Sequence, residues 1–540
     1  MASFSNETLD DEVVFEFQQD FSGGEDSFRS PTLIEPNQCQ HLLNMMVRDN
    51  YEARTRPGAD AIPTAATLPI ANATAVYALR YFQIPAHSQL VAAVNVGGTG
   101  HLLSLEANVW SDLNLVGSYP AGFPNSPDTR LAMAQGIDTL LISDGVGQGV
   151  IWDGAAFTQT GAANNANFPI GATILAWFGG CMWASGVASQ PDGIWASKSL
   201  AFSAGNWDAT LRQFRVGGGD GDPIVALAPM QENTMAILKR NSVWQLSYSP
   251  EKDAAAATFL TANIARQALS YGIGCVGRDA WCAYGNDILF MAQDGVRSVQ
   301  RMQAAAGQWQ LIPPISQPIQ PIIKRINQAA WDKIVAIKYQ EFAMFFVPLD
   351  NSLTNNYCLV YNGQLQKWMG AWTNWKANCV ELTRFSGLQR FVFGDTSGYV
   401  NQWKDLNSNT DDATYQDNGI GYPSQVSTRS FQFNEPIVSK NAWNAVMRFT
   451  SGNAALSLGW YADSALAKTW NGTFNPTGDI LGVGTLPFLL ASTSPIKVTK
   501  GLRGLAAFSE AYVSIQCNSG WFWLRNVTVS AQVNPLKEAS

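Results

Sequence analysis

Residues 138–160 read DTLLISDGVGQGVIWDGAAFTQT, and this stretch decides the fold. Three short runs (139–143, 149–152 and 156–160) carry apolar or alternating side chains, and they are split at Asp144-Gly145 and Asp153-Gly154. Runs of that length are too short for helices and suit strands. Asp-Gly supplies the positive φ that a tight hairpin turn demands. The stretch therefore predicts a three-stranded antiparallel meander.

The same unit recurs on both sides. In 280–300 the runs 280–284, 288–292 and 296–300 are split by Gly285-Asn286-Asp287 and Asp294-Gly295; in 388–403 the run 390–393 meets 399–403 through Gly394-Asp395-Thr396-Ser397-Gly398. Related units lie around 76–113, 172–195, 224–248 and 334–372. A spacing of roughly 40 to 50 residues without helices between the units is that of propeller blades. The expectation is an all-β chain whose 66–410 region forms a β-propeller of about seven blades, with six to eight allowed and a stack of sandwiches as the alternative. Only 311–330 breaks the rhythm, and the apolar spacing of 319–326 predicts one short helix there.

Residues 405–421 are polar and turn-rich, so 411–421 reads as a linker. Beyond it, the alternating runs 426–433, 445–449, 455–461, 511–517 and 521–529 predict a C-terminal β-sandwich over 422–540. Residues 1–65 lie outside the blade rhythm and are expected to form an N-terminal arm. In that arm Pro36 can open a short helix over 37–46, and 48–56 forms a hairpin turning at Asp49-Asn50. Residues 1–30 are expected to form an extension reaching a neighbouring subunit or an adaptor.

Composition narrows the function. Of 540 residues 46% are hydrophobic and only 14% charged, against about 25% charged in typical soluble chains. This favours a surface partly covered by neighbours, with a large monomer whose surface is rich in Ser, Thr, Asn and Gln as the alternative. A net charge of −8 argues against gripping nucleic acid through its phosphates. The seven cysteines form no Cys-x-x-Cys pair, so buried free thiols are expected rather than disulfides or a zinc site. The start of the chain reads as no secretory signal and no stretch is long and apolar enough to span a membrane, so synthesis and retention in the cytoplasm are expected.

The chemical motifs point away from an enzyme. The three histidines, His41, His87 and His101, form no metal or hydrolase pattern. Gly217-Gly218-Gly219-Asp220-Gly221 lacks the Lys-Ser/Thr of a phosphate loop. Asp405-Leu406-Asn407-Ser408-Asn409 begins like a calcium loop, but Thr410 replaces the turn glycine and Gln416 the bidentate glutamate. Tyr81-Phe82-Gln83-Ile84-Pro85 resembles the Phe/Tyr-Arg-Ile-Pro motif of sialidases, and Ser143-Asp144-Gly145 and Asp192-Gly193-Ile194-Trp195 resemble degraded Asp boxes. In that family the motif arginine binds a substrate carboxylate; here the position is Gln83. No cofactor, catalytic residue or metal is expected.

Three stretches carry a resemblance to a different family. The first runs from Phe21-Ser22-Gly23-Gly24 through Pro31, Thr32, Ile34, Pro36 and Gln38 to Leu43-Asn44-Met45-Met46-Val47-Arg48-Asp49, and closes on Arg54-Thr55-Arg56-Pro57-Gly58. The second includes Ile315-Ser316, Ile319, Ile326-Asn327, Phe345-Phe346-Val347-Pro348, Leu359-Val360-Tyr361-Asn362 and Lys367-Trp368. The third is Val426-Ser427-Thr428-Arg429-Ser430-Phe431 after the polar linker. Together they resemble the tail nozzle or tail-hub proteins of short-tailed bacteriophages.

The resemblance implies a virion protein, assembled in the host cytoplasm. Its copies would form a ring, usually sixfold, that closes the DNA channel and conducts DNA during ejection. Its partners would be a portal or adaptor protein, tail fibres or spikes, and viral DNA passing without sequence-specific binding. The family-motif residues Arg54, Arg56, Pro57, Gly58, Tyr361, Asn362 and Trp368 are structural on this reading. By their chemistry the arginines are expected to partner carboxylates or carbonyls, and Trp368 and Trp372 to pack a blade. A conduit also needs weak contact with DNA, so its lining is expected to carry more Asp and Glu than Lys and Arg. The alternative is a glycan- or receptor-binding propeller at the tail tip, marked by exposed aromatics on one propeller face.

Overall fold

The computed structural model describes residues 13–48, 51–63, 73–124, 130–161, 168–208, 210–249, 263–305, 312–404, 412–434, 436, 438–474 and 496–533. The chain forms two compact units. The ring unit holds 59–359 and 374–403; the sandwich unit holds the chain up to Gly58, Val360–Thr373 and the chain from Lys404.

The ring unit is a seven-bladed β-propeller. Its innermost strands are Ala73–Gln83, Ala132–Gly136, Ile174–Phe178, Ile224–Gln231, Trp281–Tyr284, Val335–Tyr339 and Ala377–Thr383, and they neighbour one another in that order until the last returns to the first. Blades one to four are four-stranded antiparallel sheets, and blade five has three strands. Blade six contains Val335–Tyr339, Phe342–Val347 and the start of Tyr357–Asn362. Blade seven takes its outermost strand from far upstream: Ala59–Ala61 pairs with Val400–Trp403, Asp60 opposite Gln402. Joining the two ends of the propeller sequence in one blade leaves the ring without an open seam.

Local chemistry explains the blades. Asp144 Oδ1 accepts from the amides of Val146 (2.9 Å) and Gly147 (2.8 Å), and Asp153 Oδ1 from those of Ala155 (2.8 Å) and Ala156 (2.7 Å). Asp208 and Asp395 close their turns in the same way. The resemblance to Asp boxes at Asp144 thus has a source in turn chemistry, whereas Asp192-Gly193-Ile194-Trp195 is no turn: it lies within the strand Gln190–Ala196, and Asp192 bonds Arg215 at 2.9 Å. Between blades large aromatics fill the gaps, as where Trp183 meets Tyr248 edge-on at 5.4 Å and Phe346 lies 6.1 Å from Phe391. The glycine-rich loop at 217–221 is held by the fully buried Lys239, whose Nζ lies 2.7 Å from Asp220 Oδ1 and 3.0 Å from Val216 O.

The sandwich unit has two sheets. One runs Met45–Val47, Ala53–Thr55, Phe522–Val533, Lys440–Ser451, Ile496–Gly501, with Val13–Gln18 also paired to Phe522–Val533. The other runs Lys367–Thr373, His41–Leu43, Ser424–Ser427, Ala511–Cys517, Ala454–Ala462, Ala465–Phe474. Met447, Phe449, Val527 and Val529 from the first and Val426, Leu458, Trp460 and Ile515 from the second are buried in its core.

Three expectations change here. The 1–65 segment is no free arm: Val13–Gln18 pairs along its whole length with the last strand, and Phe21, Leu42, Met45 and Val47 are wholly buried; residues 1–12 lie outside the described residues. No helix forms over 37–46, because Asn44 takes φ +53° and the flanking residues join two different sheets; pairing with distant strands outweighs a proline start signal. The hairpin 48–56 is present as Met45–Val47 against Ala53–Thr55, with its turn at 49–50 outside the described residues. Residues 411–421 are more than a linker: Asp412–Tyr415 is a short helix, Gln416–Asp417 pairs with Ile420–Gly421, and Tyr415 is buried. In the 311–330 insert a short helix does form, at Gln320–Ile323.

Candidate functional site

Among the residues carrying the nozzle resemblance, Arg56 is wholly buried. Its guanidinium donates from Nε to Asn44 Oδ1 (3.0 Å), from Nη1 to Pro57 O (3.0 Å) and Asp417 Oδ1 (3.1 Å), and from Nη2 to Thr373 O (2.9 Å) and Asp417 Oδ2 (2.7 Å). It lies 3.9 Å from the centre of the Tyr422 ring, and the Tyr422 hydroxyl donates to Arg56 O. Burial pushes that phenol well above its ordinary range. A planar fork with permanent charge can make all these bonds at once; lysine cannot.

Asn44 completes the junction. Its Nδ2 donates to Thr373 Oγ1 and Pro423 O, both at 2.7 Å, while Oδ1 accepts from the Thr373 amide. Segments around 44, 56, 373, 417 and 422 are tied together by two side chains.

The other motif residues brace the same unit. Arg54 bonds Glu52 at 3.1 Å and lies 4.6 Å over Trp523. The Gly58 amide donates to Thr414 O (2.8 Å), and a Cβ there would stand 1.9 Å from Gln416 O, so only glycine fits. Asn362 Nδ2 donates to Val47 O (3.2 Å) while its Oδ1 accepts from the amides of Gln364 and Leu365. Tyr361 packs on Trp368 at 5.2 Å, and Trp368 O accepts from the Glu25 amide at 2.7 Å. Trp368 and Trp372 pack in the sandwich unit rather than a blade, Trp372 Nε1 donating to Met45 O (2.8 Å). Sequence reading missed Asn44, Asp417 and Tyr422 as the partners of Arg56; no local signal points to them.

The axis of the ring unit holds a second cluster. All seven inner strands line a cavity of about 220 Å³, with Arg80, Arg278, Asp279 and Glu381 among its walls. Arg278 Nη1 donates to Arg130 O (3.0 Å) and Thr173 O (3.1 Å), and its Nε and Nη2 bond Asp279. Arg130 donates to Asp332 O (3.0 Å) and Lys333 O (2.7 Å). Side chains from blades two and five thus bind carbonyls at the strand starts of blades two, three and six. Burial disfavours the charge on Asp279, but Arg278 and Arg130 outweigh it and hold the carboxyl below its ordinary range. Burial wins at Glu381, whose carboxyl is pushed up despite Arg80. The arginines are engaged with the protein itself, and the cavity is far too small to pass DNA.

Gln83 lies away from this cluster, at the far end of its strand. Gln135 clamps it, Oε1 accepting from the Gln83 amide (3.1 Å) and Nε2 donating to Gln83 O (2.6 Å). The histidines pair separately with acids: His41 with Glu25, His87 with Glu106, His101 with Asp112. Among the described residues no group of three His, Cys, Asp or Glu could hold a metal, and all seven cysteines are buried and outside any disulfide. The calcium-loop-like 405–409 lies outside the described residues.

No family model and no curated protein matches the chain. Among solved structures it is similar to BamB from Moraxella catarrhalis, at 10% identity over 66% of this chain and 99% of that one, with a TM-score of 0.40. It is also similar to PorZ, a surface component of the type-IX secretion system of Porphyromonas gingivalis, at 11% identity over 82% and 60% of the two chains and a TM-score of 0.41. The computationally designed protein Ika8 gives 10% identity, 68% and 96% coverage and a TM-score of 0.36. These likenesses carry nothing about function, and the fold rests on the strand pairing described above.

Proposed function

We propose that the chain is a structural protein of a bacteriophage tail, a nozzle or hub whose copies form part of the ring that closes the DNA channel and conducts DNA during ejection. One observation carries this reading. The stretches 21–58 and 426–431, far apart in the chain and recognised separately by their resemblance, lie in one unit, where His41–Leu43 pairs with Ser424–Ser427; of the second stretch, 360–372 belongs to that unit and 315–359 to the ring unit. Two unrelated chance matches so far apart have no reason to share one sheet. The low charge of the chain and the closed axis of each propeller favour a lumen formed between copies rather than through one.

On this reading the partners are other copies, in a sixfold ring, a portal or adaptor protein, and fibres or spikes. The lumen between copies carries more Asp and Glu than Lys and Arg, since cations would bind passing phosphates. The receptor-binding alternative asks for a cluster of exposed aromatics on the ring unit. Among the described residues there, only Tyr271 is an aromatic of the mostly exposed class, so it is not favoured.

The test is assembly. The purified chain, alone and with the portal-end proteins of its particle, is followed by light scattering and negative-stain microscopy. Closed rings with a lumen wide enough for duplex DNA are expected; a chain that stays monomeric under all these conditions overturns the reading.

A further inference from the structure

The strand Val13–Gln18 wears its polarity inside out. Glu16 and Gln18 point inward: Glu16 Oε1 lies 2.7 Å from Arg429 Nη1, its Oε2 accepts from the Phe433 amide (2.8 Å), and Gln18 Nε2 donates to Gln38 O (2.9 Å). Phe15 and Phe17 point outward and are 68% and 55% exposed. Apolar side chains on the open face of a sheet mark contact surfaces more often than chance.

The strand register extends this face. Phe15, Ser530, Asn444 and Gly501 form one cross-strand row; Phe17, Thr528, Val446 and Thr499 form the next; Asn526, Arg448 and Lys497 form the third. Alternate positions share a face, so the three rows lie on the same outward side. No carboxylate stands in them. Arg448 and Lys497 are exposed and directly opposite each other, a like-charge pair that destabilises a sheet unless something neutralises it.

The chain carries a complementary segment. Residues 1–12, MASFSNETLDDE, combine Phe4 and Leu9 with Glu7, Asp10, Asp11 and Glu12. Its end at Val13 sits opposite Gln532, six positions along the strand from Asn526 and, counting across the sheet, two to three strands from Arg448 and Lys497. At usual strand rise and spacing that is about 20–25 Å. Asp10, Asp11 and Glu12 are three residues or fewer from Val13 and reach at most about 10 Å from it. The charges match, but Asp10, Asp11 and Glu12 of the same copy fall short of Arg448 and Lys497.

We propose that residues 1–12 of a second copy dock on this outer sheet face, Asp10, Asp11 and Glu12 neutralising Arg448 and Lys497 and apolar residues covering Phe15 and Phe17. Face-to-face pairing of two such sheets is disfavoured, because it sets cation against cation. The inference rests on the self-assembling reading above and names the contact that joins the copies.

The experiment mixes equal amounts of full-length chain made with light and heavy nitrogen and treats them with a zero-length carbodiimide, which joins a lysine amine to a carboxyl in contact with it. Peptide mass spectrometry identifies the partner of Lys497, and light scattering of the same sample gives the mass. The expected result is Lys497 joined to carboxyls of residues 7–12, with mixed-isotope pairs as abundant as the two like-isotope pairs together. Yield should fall several-fold in Phe4→Ser/Leu9→Ser chains and in high salt, which screens exposed charges. Like-isotope pairs only, or an oligomer whose Lys497 joins other carboxyls, overturns the docking and leaves the assembly reading standing. A monomer with no such link overturns both.

Discussion

Arg56 Nη2 lies 2.7 Å from Asp417 Oδ2, joining residues 361 positions apart in the chain. The arginine is wholly buried, so the aspartate cannot be replaced there by solvent. Asp417→Ala should therefore destabilise the protein by about 3–5 kcal/mol, the range for leaving a buried charge unpaired. Arg56→Lys should also destabilise it although the charge is kept, because one ammonium cannot serve Asn44, Thr373 and both Asp417 oxygens. Urea unfolding followed by tryptophan fluorescence measures both; a loss below about 1 kcal/mol for Asp417→Ala would show that the junction relaxes.

Glycine 58 tests the same junction through sterics. Gly58→Ala drives a Cβ into Gln416 O, a backbone atom, and should lower the unfolding midpoint markedly or prevent folding. Gly501→Ala meets nothing within 4 Å, and it should stay within about 1 kcal/mol of the parent. Equal behaviour of the two variants in thermal unfolding would contradict the close approach at Gly58.

The carboxyls on the propeller axis should act in opposite directions with pH. Asp279 is held below its ordinary range, so its contribution is complete above the unfolded value of about pH 4 and fades as pH falls through the folded one. Arg278→Met leaves burial less opposed and raises the Asp279 value. Stability at neutral pH should drop, and acid unfolding should begin at a higher pH than in the parent.

Glu381 is raised by burial, so its carboxylate costs stability at pH 7 and the cost disappears as pH falls through the folded value. Glu381→Gln should be as stable as the parent or more so at pH 7, with the difference shrinking toward pH 4. A clear loss at pH 7 would mean that Arg80 depends on this partner.

Glycosidase activity should be absent. Gln83 occupies the position of the substrate-binding arginine, and Gln135 holds its backbone away from the axial cluster. Neither the parent nor Gln83→Arg should turn over a fluorogenic sialoside. Saturable hydrolysis that persists through repurification would overturn the non-enzymatic reading.

Much of the fold was legible because it is local. Asp144-Gly145 and Asp153-Gly154 announce their hairpins by chemistry confined to a few residues, and the recurrence of turn-bounded runs announced a propeller of six to eight blades; the ring of inner strands fixes the number at seven. The junction was legible only in part: Arg56, Gly58 and Trp368 stood out by resemblance, and their roles as buried braces follow from what they touch.

Sequence by itself determined the turns, the strand periodicity, and the charge and apolar content of residues 1–12. Tertiary structure decided which distant segments meet. Ala59–Ala61 closes the ring against Val400–Trp403, Val13–Gln18 lies along Phe522–Val533, and 37–46 gives up a helix to join two sheets. The physical reason is that a strand's alternation declares which face is apolar but not which partner will satisfy its backbone. Even the facing can reverse, as Phe15 and Phe17 do, when half-buried groups such as Arg429 claim the polar side chains between them.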